Sequence, residues 1–183
     1  MAAMNDMMPL MTRATERTAR LVRAVGAEQL GSPTPCAKFD VKDLINHLEW
    51  VATMFESLGR NGPRVEQEPY AGDFPERAER MLAAWSRLEA WEGISPGMGL
   101  PMTSLAHMWL VDMVVHGWDL ARATGQAYEP DPEAVARGLD FTIQMVEMGR
   151  QRGAFGPPVP VPDDASPFDH LLGTIGRNPT WTP

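Results

Sequence analysis

Asp112 and His116 stand one helical turn apart inside HMWLVDMVVHGWDLA (residues 107–121), a stretch that is otherwise almost wholly apolar. Burying a neutral polar group without a partner costs on the order of 2–7 kcal/mol, and a charge costs more. Either the two side chains satisfy each other or a third party lies between them. Each residue turns about 100° around a helix axis, so phase can be counted from the numbering. His116 falls about 40° from Asp112, on the stripe that holds Leu105, Met108, Trp109, Val115 and Ala123. His107 lies well off that stripe and faces another way. His170, in SPFDHLLGTI (166–175), sits opposite Phe168, Leu172 and Ile175 and is expected to be solvated. His47 lies at the edge of an earlier helical stripe, beside Met54, where it can still look inward.

Phase therefore selects His47, Asp112 and His116. Two imidazoles and a carboxylate on facing helices make a metal-ligand set with open positions. Catalytic zinc takes three such ligands plus water, and helix bundles host such sites in their cores. The same set suits non-haem Fe(II), so residue types alone do not fix the metal among zinc, iron and nickel. The plainer alternative is that Asp112 and His116 pair with each other while His47 is a satisfied edge histidine. Asp119 returns to the same stripe, where it could orient a ligand imidazole from behind or pair with Arg122 at i,i+3. Met54, Met108 and Trp109 are expected to wall the pocket. No catalytic residue is assigned. Cys36, in a proline-bounded loop, has no legible partner base and reads as a small packing residue rather than a nucleophile.

The elements that must position these residues are helical throughout. LMTRATERTARLVRAV (10–25) places Leu10, Ala14, Leu21 and Val25 at helical spacing, and the stretch from Gly26 to Gly31 ends it. Asp40 caps a second helix with Asp43 in its first turn and Val41, Leu44, Leu48, Val51, Phe55 and Leu58 as its stripe. PERAERMLAAWSRLEAW (75–91) forms a third, with Pro75 in the first turn and Met81, Leu82, Trp85 and Leu88 on its apolar side. Thr103 or Ser104 is expected to cap the fourth, which Gly125 ends. Asp131-Pro132-Glu133 opens a fifth carrying Val135, Leu139, Ile143 and Val146. GAFGPPVPVPDDAS (153–166) reads as an extended surface segment, and Ser166-Pro167 starts a short last helix. The fold class is all-α, a four-helix bundle with additional short helices, its main members beginning near Leu10, Asp40, Thr103 and Asp131.

The 183 residues fit one domain, 1–183. With 16 Lys and Arg against 24 Asp and Glu the net charge is -8, and no basic cluster occurs, which argues against a nucleic-acid or anionic-membrane partner. A single cysteine permits no internal disulfide and points to a reducing compartment. The opening residues do not read as a signal peptide, and no apolar run is long enough to span a membrane. A soluble, cytoplasmic protein is expected.

Three segments together are similar to one family. TPCAKFDVKDLINHL (34–48), DMVVHGWDLARATGQ (112–126) and PFDHLLGTIGRNPTW (167–181) resemble, in order, segments of the mycothiol-dependent maleylpyruvate isomerase N-terminal group. That group lies in the DinB-like, YfiT-like superfamily, and the third segment resembles the ending of its short actinobacterial members. The resemblance implies a DinB-like four-helix bundle binding a divalent metal, usually zinc. The family's first histidine falls on His47, and its carboxylate and second histidine fall on Asp112 and His116. Asp112 stands where Glu is common, one methylene shorter. The two-domain isomerases carry a C-terminal domain not found in this chain, so the maleylpyruvate reaction itself is not implied. What the resemblance does imply is thiol chemistry, S-transfer or isomerisation with mycothiol as cosubstrate and a small electrophile as substrate. A non-catalytic metal-binding or stress-response module, with a homodimer through an exposed helix face as one form of it, and a hydrolase using metal-activated water are the competing readings.

Overall fold

The computed structural model describes residues 1–183, and every regular element in it is a helix. In chain order these are α1 (Ala2–Arg23), α2 (Val41–Gly59), α3 (Phe74–Trp85), α4 (Met102–Thr124), α5 (Pro132–Gln151) and α6 (Pro167–Thr174). Single 3-10 turns follow α1 at Ala27–Gln29 and α3 at Leu88–Trp91. Helices α1 to α4 close a ring: α2 packs on α3 and α4, and α1 packs on the same two. Within it Leu10, Met11, Leu44, Leu48, Leu58, Met81, Trp85, Leu105 and Trp109 are buried completely or nearly so. Phe55 lies between the rings of Trp85 and Trp109, with centroids 6.3 and 5.5 Å away. The fully buried indoles of Trp85 and Trp109 each have an acceptor, as their desolvation requires: Trp85 donates to the Phe55 carbonyl (2.8 Å) and Trp109 to Thr15 Oγ1 (2.9 Å).

The fourth bundle member is α3, whereas the sequence pattern assigned that place to the helix beginning at Asp131. The reason is volume. Helix α3 turns Phe74, Met81 and Trp85 inward, while α5 buries only Ala134, Val135, Gly138 and Thr142. That small-residue strip lets α5 lie on the outside of α4, with α6 against it. Ile143, counted on the apolar stripe, is 58% exposed. Three boundaries also differ from expectation. α3 ends at Trp85 rather than running to Trp91, and Leu88, expected on its apolar side, is exposed. α1 begins at Ala2 rather than near Leu10, carrying Pro9 inside it at the loss of one ladder hydrogen bond. α4 begins at Met102 with Pro101 at its N-cap and no side-chain cap, so neither Thr103 nor Ser104 plays that part.

The remaining caps follow the sequence. Asp40 and Asp43 form a reciprocal box at α2, Asp131 accepts from Glu133 and Ala134 at α5, and Ser166 accepts from Asp169 at α6. α3 is started by a residue outside itself. The Glu49 carboxylate of α2, 1% exposed, accepts backbone N–H bonds from Ala71 (2.9 Å), Gly72 (2.6 Å) and Asp73 (2.9 Å). α4, which carries Asp112, His116 and Asp119, is buried around most of its circumference. Gly117 allows its close approach to α1, since a Cβ there would stand 3.0 Å from Thr18 Oγ1 and from the Tyr128 ring.

Candidate metal centre

On α4, Asp112, His116 and Asp119 follow one another at i, i+4 and i+7, so they share a face. Asp119 is completely buried, and its Oδ2 lies 2.9 Å from His116 Nδ1. Arg177, from the segment after α6, grips the same carboxylate: Nε is 3.0 Å from Oδ1 and Nη2 is 3.0 Å from Oδ2. Burial pushes the Asp119 carboxyl up, but the His116 hydrogen bond and the Arg177 charge outweigh it and bring the group below its ordinary value. It is therefore an acceptor, and His116 donates through Nδ1. In the neutral ring the lone pair then sits on Nε2, on the other side from Asp119.

Asp112 is the carboxylate nearest that lone pair, and the His47 ring packs on the His116 ring. Asp112 Oδ1 is 4.0 Å from His116 Nε2, too far for a hydrogen bond, so the two side chains do not satisfy each other directly. The Asp112 side chain is 31% exposed, and desolvation by the packed helices pushes its pKa up despite the pull of His116 and Arg177. His47, from the second turn of α2, meets His116 edge to face with ring centroids 5.0 Å apart. Phe39 (5.3 Å) and Trp50 (5.8 Å) flank it. Burial first, then the His116 and Arg177 charges, lower its pKa to about 3 against the opposing influence of Asp119. At neutral pH His47 is an uncharged imidazole.

The chemistry of the donor set fits a divalent cation: one neutral imidazole, a second with its Nε2 lone pair fixed, and a carboxylate between helices. As they stand the three do not close a cage, and no group of three or more His, Cys, Asp or Glu side chains is disposed to hold an ion without adjustment. Cys36 lies close enough for the charges of Arg177 and Asp119 to act on it, and burial raises its thiol pKa. A thiol held protonated is a poor nucleophile.

The other sequence candidates have these surroundings. Trp109 is fully buried, bonded to Thr15 and packed on Phe55, which makes it part of the core between α1, α2 and α4. Met54 is 3% exposed and Met108 is partly buried against the core. The aromatic rings next to His47 are Phe39 and Trp50, which helical phase had not marked. Beyond Phe39 opens a polar cleft of about 500 Å³ lined also by Lys38, Asp43, Asn46, Gln67 and Glu68. Asp119 engages His116 and Arg177 rather than Arg122, which donates instead to the Trp181 carbonyl. His107 turns toward α5 and stacks on Phe141, centroids 5.2 Å apart. His170 is half-buried rather than solvated. Arg177 itself was missed. The signal for it was Asp119, a carboxylate on an apolar face that needed a cation.

The fold is that of the all-α, DinB-like proteins. The mycothiol maleylpyruvate isomerase N-terminal domain family matches residues 11–73, which include α2 and His47 but not Asp112 or His116. The chain is also 33% identical over 182 residues, 92% of its own length and 97% of theirs, to two Mycobacterium tuberculosis proteins. These are uncharacterized protein Rv0738 (strain ATCC 25618 / H37Rv) and uncharacterized protein MT0763 (strain CDC 1551 / Oshkosh). No solved structure matches. This chain belongs to the mycothiol maleylpyruvate isomerase N-terminal domain family of the DinB-like superfamily.

Proposed function

We propose that this chain binds a divalent metal, zinc foremost, through His47, Asp112 and His116, and that it catalyses S-transfer or isomerisation of a small electrophile with mycothiol or a similar thiol. The observation that carries this reading is the setting of His116: Nδ1 is committed to the buried Asp119, Nε2 lies 4.0 Å from Asp112 Oδ1, and the neutral His47 packs on the ring. A bound divalent metal supplies a Lewis-acid position at which a thiol is held as its thiolate at neutral pH. The chain's own side chains do the rest. Asp119 holds the His116 ring against rotation, Asp112 brings negative charge to the open side, and Phe39 and Trp50 exclude water around His47. No other nucleophile is legible, since the Cys36 thiol is held protonated. The family is named for mycothiol, and a reducing, cytoplasmic setting suits both such a thiol and a lone unpaired cysteine. No helix is long and apolar enough to cross a membrane.

The test is turnover of a panel of small electrophiles by zinc-loaded protein with and without mycothiol, alongside His47→Ala. Product that requires metal, thiol and His47 together is the expected result. Full-rate hydrolysis without thiol would transfer the site to water activation. Stoichiometric metal with no turnover across the panel would leave a binding module.

A further inference from the structure

The segment that follows α6 is tied to α4 at two points. Gly176, at a φ of 91°, turns the chain in a place where a Cβ would meet the backbone of Gly156 and Pro157 at 2.8 Å. Arg177 then donates its backbone N–H to the Leu172 carbonyl (2.8 Å) and sends its guanidinium to Asp119, 58 residues back in the chain. About one turn further along α4, Arg122 donates Nε (3.2 Å) and Nη2 (2.6 Å) to the Trp181 carbonyl. The second tie only fastens the segment. The first reaches the proposed centre.

Asp119 is completely buried, and its polar partners are His116 and Arg177 alone. Take Arg177 away and the carboxylate keeps one neighbour, an imidazole that can offer it either ring nitrogen. With Arg177 in place, both oxygens are engaged by a guanidinium fork, a pairing that fixes direction as well as charge. Oδ2 is then presented to His116 at one angle, and only Nδ1 reaches it.

We infer that Arg177 is a positioning residue of the proposed metal centre: its fork on Asp119 sets His116 as the Nδ1–H tautomer with Nε2 open toward Asp112 and His47. The C-terminal segment is thereby part of the centre and not only its cover. The inference rests on the metal-binding reading for its consequence, but the tautomer is a property of the metal-free protein. A residue that merely fastened the tail would leave both unchanged.

The experiment uses the full chain labelled with ¹⁵N-histidine. Long-range ¹H–¹⁵N spectra of the metal-free protein report the tautomer of His116, and titration with Co²⁺ alone reports affinity through its visible absorption. In the wild type a single Nδ1–H pattern is expected. Arg177→Met is expected to mix or invert that pattern and to weaken Co²⁺ binding about 10–100-fold, the usual cost of losing a group that orients a metal ligand. Arg122→Met cuts the other tie and is expected to leave the His116 pattern unchanged. Arg177→Lys keeps the charge without the fork and is expected to fall between wild type and Met. It also decides the matter should the Met variant not fold, a pattern and affinity equal to wild type then overturning the inference. A folded Arg177→Met with wild-type pattern and affinity overturns it directly, as does an Arg122→Met that shifts the pattern equally. If the wild type takes up no Co²⁺, the metal-binding reading falls, and the His116 spectra alone decide whether Arg177 sets the imidazole.

Discussion

Asp119→Ala removes the buried carboxylate that joins His116 to Arg177, and its cost can be worked from the bonds it makes. The side chain is completely buried and accepts one hydrogen bond from His116 and three contacts from Arg177, whose own side chain is only 11% exposed. Truncation leaves a desolvated guanidinium without its counter-charge. Breaking a buried pair from one side costs about 3–5 kcal/mol, a large part of the roughly 5–15 kcal/mol that holds a domain of this kind together. The expected result of urea unfolding at pH 7 is a midpoint shift corresponding to that loss with an unchanged slope. Arg177→Met in the Asp119→Ala background should recover part of it, because the orphaned charge is then gone. The double-mutant cycle should therefore show coupling of about 1–3 kcal/mol. Arg23→Met provides the scale: Arg23 meets Glu79 at 3.7 Å with both side chains more than half exposed, a pair worth about 0–1 kcal/mol. An Asp119→Ala loss no larger than that of Arg23→Met, or additive single variants, would refute the reasoning.

Three further outcomes are expected. Glu49→Gln should destabilise by about 1.5–3 kcal/mol in the same assay, because three backbone N–H groups at the start of α3 lose a charged acceptor, and amide exchange at residues 71–73 should rise with it. Tyr128→Phe should cost about 0.5–1.5 kcal/mol through the lost 2.7 Å bond to the Val114 carbonyl. Asp131, which caps α5 and meets Arg13 Nε at 2.6 Å, has its pKa held below the ordinary 3.8: burial raises it, but the Arg13 hydrogen bond and the cap N–H bonds outweigh that. A depressed carboxyl contributes stability that is fully present above its unfolded value and is lost as pH falls through the folded one. Wild type and Asp131→Asn should thus differ at pH 6 and converge as the pH drops below about 4.

Much of this architecture was legible because it is local. The capping residues of α2, α5 and α6 announce themselves within four positions, and helical phase alone placed Asp112, His116 and Asp119 on one face. What escaped is long-range or depends on size. Periodicity counts apolar residues without weighing them, so Leu139, Ile143 and Val146 outvoted Trp85, Met81 and Phe74 for the fourth place in the bundle. Glu49 looks like a solvated turn of α2 until the 71–73 backbone folds onto it. Arg177 lies in a stretch without periodicity, 58 residues from its partner, and Arg122 was the nearer cation in sequence. Phase could discard His107 from the α4 stripe, but it could not name Phe141 as the ring it stacks on.

The central claim is that His47, Asp112 and His116 share one metal ion. Its most direct test is the metal content of dialysed, zinc-reconstituted protein, measured by plasma mass spectrometry for the wild type and four single variants. One zinc per chain in the wild type, lost in His47→Ala and His116→Ala and retained in His107→Ala and His170→Ala, is the predicted result. A wild type without stoichiometric metal, or equal loss in His170→Ala, would contradict it.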